Sequence, residues 1–201
     1  MAEQLRRGAR TLVLALFSLG GATAQAVPWT FQVRDAAGHP LADAVVAVLA
    51  HGKPSKTTSA HAEMGQRNRQ FTPQLLVVQT GTAVAFPNYD SVRHQVYSFS
   101  PIKVFELKLY AAGTPTDQVF DKPGVATLAC NIHDRMHANI VVVDTPLFAT
   151  TDASGTAHLD LPPGEHQLQY WHEQSKNAAV LQSQPLNVGD SAGSTQLTIG
   201  G

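Results

Sequence analysis

Fifteen glycines and twelve prolines are spread over the 201 residues of this chain, and they leave no stretch in which a long amphipathic helix could run. Between them lie short runs rich in Val, Leu, Phe and Thr: Phe31–Val33, Ala44–Leu49, Leu75–Thr80, Ala83–Phe86, Gln95–Phe99, Val104–Leu107, Val125–Ala129, Asn139–Val143, His166–Trp171 and Gln196–Ile199. Short apolar runs divided by turn residues predict strands of a sandwich or barrel. Gly81-Thr82, Asn88-Tyr89-Asp90, Lys122-Pro123-Gly124, Asp152-Ala153-Ser154-Gly155 and Pro162-Pro163-Gly164 supply the tight turns. Helical turns are expected only at Lys103–Tyr110 and Glu63–Asn68. The predicted class is all-β.

Composition removes several functions. A hydrophobic fraction of 43% is that of a globular chain. A formal charge of −1 offers no basic excess for phosphates, so a nucleic-acid binder is not expected. One cysteine, Cys130, cannot form an internal disulfide. Arg6, Arg7 and Arg10 precede an apolar run from Thr11 to Leu19, and small residues follow through Ala26. That order reads as a secretory signal over residues 1–26, too short in its apolar part to span a bilayer, which takes about 20 residues. Export to the periplasm is therefore expected, with no membrane-spanning segment. Removing the signal takes Arg6, Arg7, Arg10 and Glu3 from the 14 basic and 15 acidic residues, which leaves 11 and 14.

The informative segment is Cys130-Asn131-Ile132-His133-Asp134-Arg135-Met136. It sets a thiol, an imidazole and a thioether in a C-x2-H-x2-M pattern between two predicted strands. A second imidazole, His94, follows the turn at 87–93. Two His and one thiolate with a weak axial Met are the donor set of a blue copper site. Soft sulfur suits Cu(I) and imidazole accommodates Cu(II), so one geometry can serve both oxidation states. Zinc is the competing metal, but structural zinc sites take four Cys or His ligands and not Met. His137 could compete with Met136, yet adjacent residues on a strand face opposite ways. The other six histidines, His39, His51, His61, His158, His166 and His172, read as turn or strand-surface residues.

These residues resemble a cupredoxin, of the amicyanin and plastocyanin kind, over roughly Met64 to Asp144. Phe71-Thr72-Pro73 through Val84-Ala85-Phe86 is similar to that family's F-x-P…V-x-x-G-x-x-V-x-F strand pair. His94 falls at the position of the family's first copper ligand, and Val119–Gly124 is similar to the turn into the Cys strand. Cys130, His133 and Met136 match the short amicyanin-like ligand loop. Similar exported sequences are often labelled methylamine-utilisation proteins. The resemblance implies a Greek-key β-sandwich, one type 1 copper ion held by His94, Cys130, His133 and Met136, and His133 as the electron exit. It departs from the family at Gln95, where Asn is common. Asn88 and Asn131 are candidates to supply the missing hydrogen bond near the thiolate. Asp134 and Arg135 make the loop more charged than amicyanin's.

The flanks resemble a different family. Val33–Val46 is similar to the opening of a carboxypeptidase-regulatory-like, transthyretin-like sandwich, and Thr151–Gly164 to its later hairpin. The expected organisation is a signal at 1–26, a split Ig-like sandwich from 27–58 and 146–201, and a copper-binding domain at 59–145. The alternative is a single enlarged sandwich to which both flanks add strands. The functional expectation is a periplasmic one-electron carrier exchanging with redox proteins such as a dehydrogenase or a c-type cytochrome. The alternative is a copper delivery or sensing protein with the same ligands. No enzyme is expected, because no G-x-S-x-G or H-E-x-x-H motif occurs.

Overall fold

The computed structural model describes residues 25–55, 59–132 and 136–200. Its strands, in chain order, are β1 (Val27–Asp35), β2 (Val45–Leu49), β3 (His61–Glu63), β4 (Gly65–Arg67), β5 (Gln70–Thr72), β6 (Leu75–Gln79), β7 (Thr82–Ala85), β8 (His94–Ser100) and β9 (Lys103–Tyr110), followed by β10 (Gln118–Phe120), β11 (Gly124–Ala129), β12 (His137–Val143), β13 (Phe148–Thr150), β14 (Thr156–Leu161), β15 (Gly164–Trp171), β16 (Gln182–Val188) and β17 (Gly193–Ile199). The chain is all-β, as its punctuation predicts. Among the described residues no helix is long and apolar enough to cross a membrane.

The strands form layers. A three-stranded sheet, β14-β1-β17, faces a four-stranded sheet, β13-β2-β15-β16, across a core containing Phe31, Val33, Val46, Val48, Leu161 and Leu168. A three-stranded sheet, β10-β7-β3, belongs with a five-stranded sheet, β6-β12-β11-β8-β9, around a second core of Phe71, Phe86, Leu128, Ile140 and Val142. Between the two larger sheets lies a third cluster: Val45, Ala47 and Trp171 from one, Val125, Val141 and Val143 from the other. This explains two runs that lack a polar face. Val45–Leu49 is buried at every residue, and 140–143 likewise, because β2 and β12 each have a layer on both sides. Elsewhere a single buried face gives alternation, as in β17.

Both expected helical turns are strands. In β9, Lys103, Phe105 and Leu107 are partly buried while Val104, Glu106 and Lys108 are exposed, a period of two. The strand pairs antiparallel with β8, with a register shift between His94 and Val96. Glu63–Asn68 ends β3, forms β4 and enters a hairpin whose two turn residues, Asn68 and Arg69, both have positive φ (56° and 60°). That is the type I′ arrangement suited to a two-residue hairpin. His166 and His172 are buried rather than on the strand surface. His166 Nε2 lies 2.7 Å from the Pro162 carbonyl and His172 Nε2 3.1 Å from that of Ala42.

The edge formed by β1 and β17 is tight. A Cβ placed on Gly193 would sit 2.3 Å from the Trp29 ring, whose Nε1 donates to Thr195 Oγ1 at 2.9 Å. Gly193→Ala is therefore expected to destabilise the fold by about 1–3 kcal/mol, read from urea midpoints at unchanged slope; an unaltered midpoint would show that the ring moves freely. Two turn carboxylates add an acid dependence. Hydrogen bonds from the His39 ring (3.0 Å) and the His39 N–H (2.8 Å) hold Asp35 below the usual carboxylate range. The Ser154 hydroxyl (2.6 Å), with the N–H groups of Thr156 and Ser154, does the same for Asp152. A lowered folded pKa gives stability that is present above the unfolded value of about 3.9 and lost as pH falls through the folded one. The urea midpoint should fall on acidification below about pH 4, less steeply in Asp152→Asn; identical slopes would remove Asp152 from the account.

Candidate metal centre

The thiol and the upstream imidazole meet inside the second core. β11 ends at Ala129 and delivers Cys130, which is 6% exposed; β8 opens on His94, which is fully buried. Cys130 Sγ lies 4.0 Å from His94 Nδ1. Thiolate and imidazole bonds to zinc measure about 2.3 and 2.0–2.1 Å, and two such bonds meeting at a wide angle span a gap of about this size. The pair therefore fits a first-row metal ion without moving either side chain.

The far side of the His94 ring is fixed by a carboxylate. Nε2 lies 2.8 Å from Asp90 Oδ2. An N–H donated there leaves the Nδ1 lone pair facing the sulfur, the tautomer a metal ligand needs. Asp90 is itself held by the β4–β5 hairpin, whose backbone N–H groups of Asn68 and Arg69 donate to Oδ1 (2.7 Å) and Oδ2 (2.9 Å). Burial tends to raise the Asp90 pKa, but the Arg69 N–H, the His94 ring and the Asn68 N–H outweigh it and hold the carboxyl below its ordinary value.

Met136 comes to the same place through the backbone. The Cys130 N–H donates to the Met136 carbonyl at 3.1 Å, extending the β11–β12 pairing by one step. Met136 is 3% exposed and packs in the same cluster as Cys130. His137, the next residue, is exposed, consistent with strand alternation. His133 lies outside the described residues. Among the described residues no third His, Cys, Asp or Glu completes a metal cluster.

The residues expected to surround the thiolate are placed differently from one another. Asn88 is buried, and its Oδ1 accepts the Asp90 N–H at 2.9 Å. Its Nδ2 donates to the Val92 carbonyl (2.8 Å) and the Tyr110 carbonyl (3.3 Å), so it shapes the segment from Asp90 to His94. Asn131 is exposed and accepts from the Tyr97 hydroxyl at 2.7 Å. Gln95 follows the inward His94 on β8 and binds Glu106 on the outer face of β9, at 2.6 Å. Asp90 was not among the sequence candidates. Its signal was its position four residues before His94, in a turn opened by Asn88.

A buried polar group backs the centre. Tyr110, paired with His94 across β8–β9, donates to the Phe86 carbonyl at 2.6 Å. Gln66 Nε2 also donates to that carbonyl (3.0 Å) and to the Tyr110 hydroxyl. Burial, outweighing the Gln66 hydrogen bond, and the neighbouring Cys130 charge push the Tyr110 phenol up to about 12.

Removing the carboxylate that orients a metal-bound imidazole costs about 10–100-fold in affinity. For a metal ion held at this pair, Asp90→Ala should lower the affinity by that factor in chelator competition, while Gln95→Ala should not. Equal affinities for Asp90→Ala and the parent would mean that the ring needs no such support.

No family model matches the sequence, and no curated protein does. Among solved structures, the chain is similar to a reduced tryptophan-to-tyrosine mutant of amicyanin at 14% identity and a TM-score of 0.38, over 48% of this chain and 97% of that one. An oxidised amicyanin mutant gives 13% identity with the same coverage and TM-score. A copper-containing nitrite reductase from Thermus scotoductus SA-01 gives 21% identity and a TM-score of 0.38, over 46% of this chain and 26% of that one.

Proposed function

We propose that this chain is a blue copper protein of cupredoxin type that carries single electrons. The observation that supports this most is the buried Cys130 Sγ facing His94 Nδ1 across 4.0 Å, with the opposite ring nitrogen on a carboxylate. In this reading Cys130 would hold the ion as a thiolate, His94 and His133 as imidazoles, and Met136 as a thioether. Copper, when bound, supplies the Cu(I)/Cu(II) couple. Asp90 keeps a proton on His94 Nε2, and the backbone hydrogen bond from Cys130 to Met136 keeps the two sulfur-bearing residues side by side. Burial of Cys130, His94 and Met136 excludes water from the donors. Four protein donors on the ion would leave no position for a substrate, so the chain is read as a carrier and not an enzyme. With residues 1–26 read as an export signal, its partners are periplasmic redox proteins such as a c-type cytochrome or a dehydrogenase.

The deciding experiment is a Cu(II) titration followed by visible absorption and EPR, in parallel with Cys130→Ser. An intense blue band with narrow copper hyperfine splitting is expected in the parent and absent from the variant. Met136→Gln should keep copper and lower the reduction potential, by about 59 mV for each tenfold change in relative affinity for the two oxidation states. A pale spectrum indifferent to the loss of Cys130 would end the carrier reading, whereas loss of copper from Cys130→Ser with rapid transfer of the parent's copper to a chelator would favour a delivery protein.

A further inference from the structure

The outer face of the five-stranded sheet is covered over only part of its width. On β12 and the start of β11, Val141, Val143 and Val125 pack against the four-stranded sheet. The same face continues across β8 and β9, where Phe99 and Val104 stand exposed. The register carries it there: Ala129 is opposite Tyr97, Tyr97 opposite Glu106, and Phe99 opposite Val104. Directly opposed residues share a face. Phe99 is 77% exposed and Val104 66%, the two most exposed large hydrophobics among the described residues. The Phe99 ring stands 5.2 Å from that of Tyr97.

Two observations identify what this face would meet. The Tyr97 hydroxyl donates to Asn131, the residue that follows Cys130, so the exposed aromatic pair is tied to the ligand loop. On the exposed side, the segment 93–110 carries Arg93 and Lys108 against Glu106 alone, in a chain where acidic residues outnumber basic ones. The Glu106 carboxylate is already engaged by the Gln95 amide. An exposed apolar pair, Phe99 and Val104, flanked by Arg93 and Lys108 complements a partner with an apolar contact and an acidic rim.

We propose that the open half of this sheet, centred on Phe99 and Val104, docks an acidic redox protein. The redox character of the partner rests on the copper reading above; the surface itself does not.

The test is an NMR titration of the 15N-labelled protein, metal-free and copper-loaded, with cytochrome b5 as an acidic haem-protein probe and cytochrome c as a basic one. Cytochrome b5 should shift the amides of Tyr97, Phe99, Val104 and Lys108, while cytochrome c should leave them unmoved. Phe99→Ser should weaken the complex about tenfold, the loss of one central anchor. Lys108→Glu should weaken it mainly at low salt. Shifts confined to residues 130–136, or equal shifts with both probes, would overturn the proposal. So would light scattering that finds a dimer broken by Phe99→Ser, since the occupant would then be a second copy. Intact cytochrome b5 binding by a protein that fails to turn blue would remove the copper reading and leave the acidic-partner surface; a blue protein that ignores cytochrome b5 would do the reverse.

Discussion

The seam between the four-stranded and five-stranded sheets is the contact on which the other layers depend. β2 and β12 are sealed on both faces there. Each fully buried Val contributes about 1.5–3 kcal/mol relative to exposure, so the seam is a substantial share of a domain's net stability. The backbone reinforces it where the chain leaves β2 and returns to β13. Val48 N–H donates to the Leu147 carbonyl (2.8 Å), Ser55 N–H to that of Asp144 (2.7 Å), and the Thr145 hydroxyl to that of Val48 (2.7 Å). Everything between those residues is an excursion that starts and ends at one place. Closing so long a loop costs little more than closing a short one, which makes the arrangement thermodynamically reasonable.

Polar groups inside the second core need their own account. Gln66 is wholly buried, and its Oε1 has no hydrogen-bond partner among the described residues. Such an acceptor costs about 1–3 kcal/mol. Its Nε2 offsets part of this by capping the Phe86 carbonyl together with Tyr110. With its pKa near 12 the Tyr110 phenol remains a donor over any working pH, so that carbonyl stays paired. Phe86 leads directly into Asn88, Asp90 and His94. The polar cost is therefore borne where a loop must keep one shape.

How much of this was legible in the sequence varies with the kind of interaction. Turn residues and short apolar runs reported the all-β class because both act locally. Val45–Leu49 and Asn139–Val143 read as strands, but why they lack a polar side became clear only when a layer was found on each face. Lys103–Tyr110 reads as helical because Val104 and Leu109, apolar but exposed, blur its alternation, and exposure is not written in the strand itself. The adjacency of Cys130 and Met136 was legible from spacing alone. Asp90 was not, since a carboxylate four residues from a His is common and its grip depends on a hairpin some 20 residues earlier.

That dependence bears on what the centre can do. In the proposed copper reading the site must change shape little between two oxidation states, and Cys130, Met136 and His94 are each restrained by the fold. Cys130 is restrained by the end of β11 and Met136 by the bond back to Cys130. His94 is restrained twice, by its place in β8 and by Asp90. The two N–H groups that fix Asp90 point toward it because Asn68 and Arg69 adopt positive φ, which L-residues enter only at some cost. The hairpin's hydrogen bonds to Asp90 help to offset that cost. The orientation of the imidazole thus depends on a surface turn distant in sequence, and a change at that turn would reach the sulfur through two successive groups, the Asp90 carboxylate and the His94 ring.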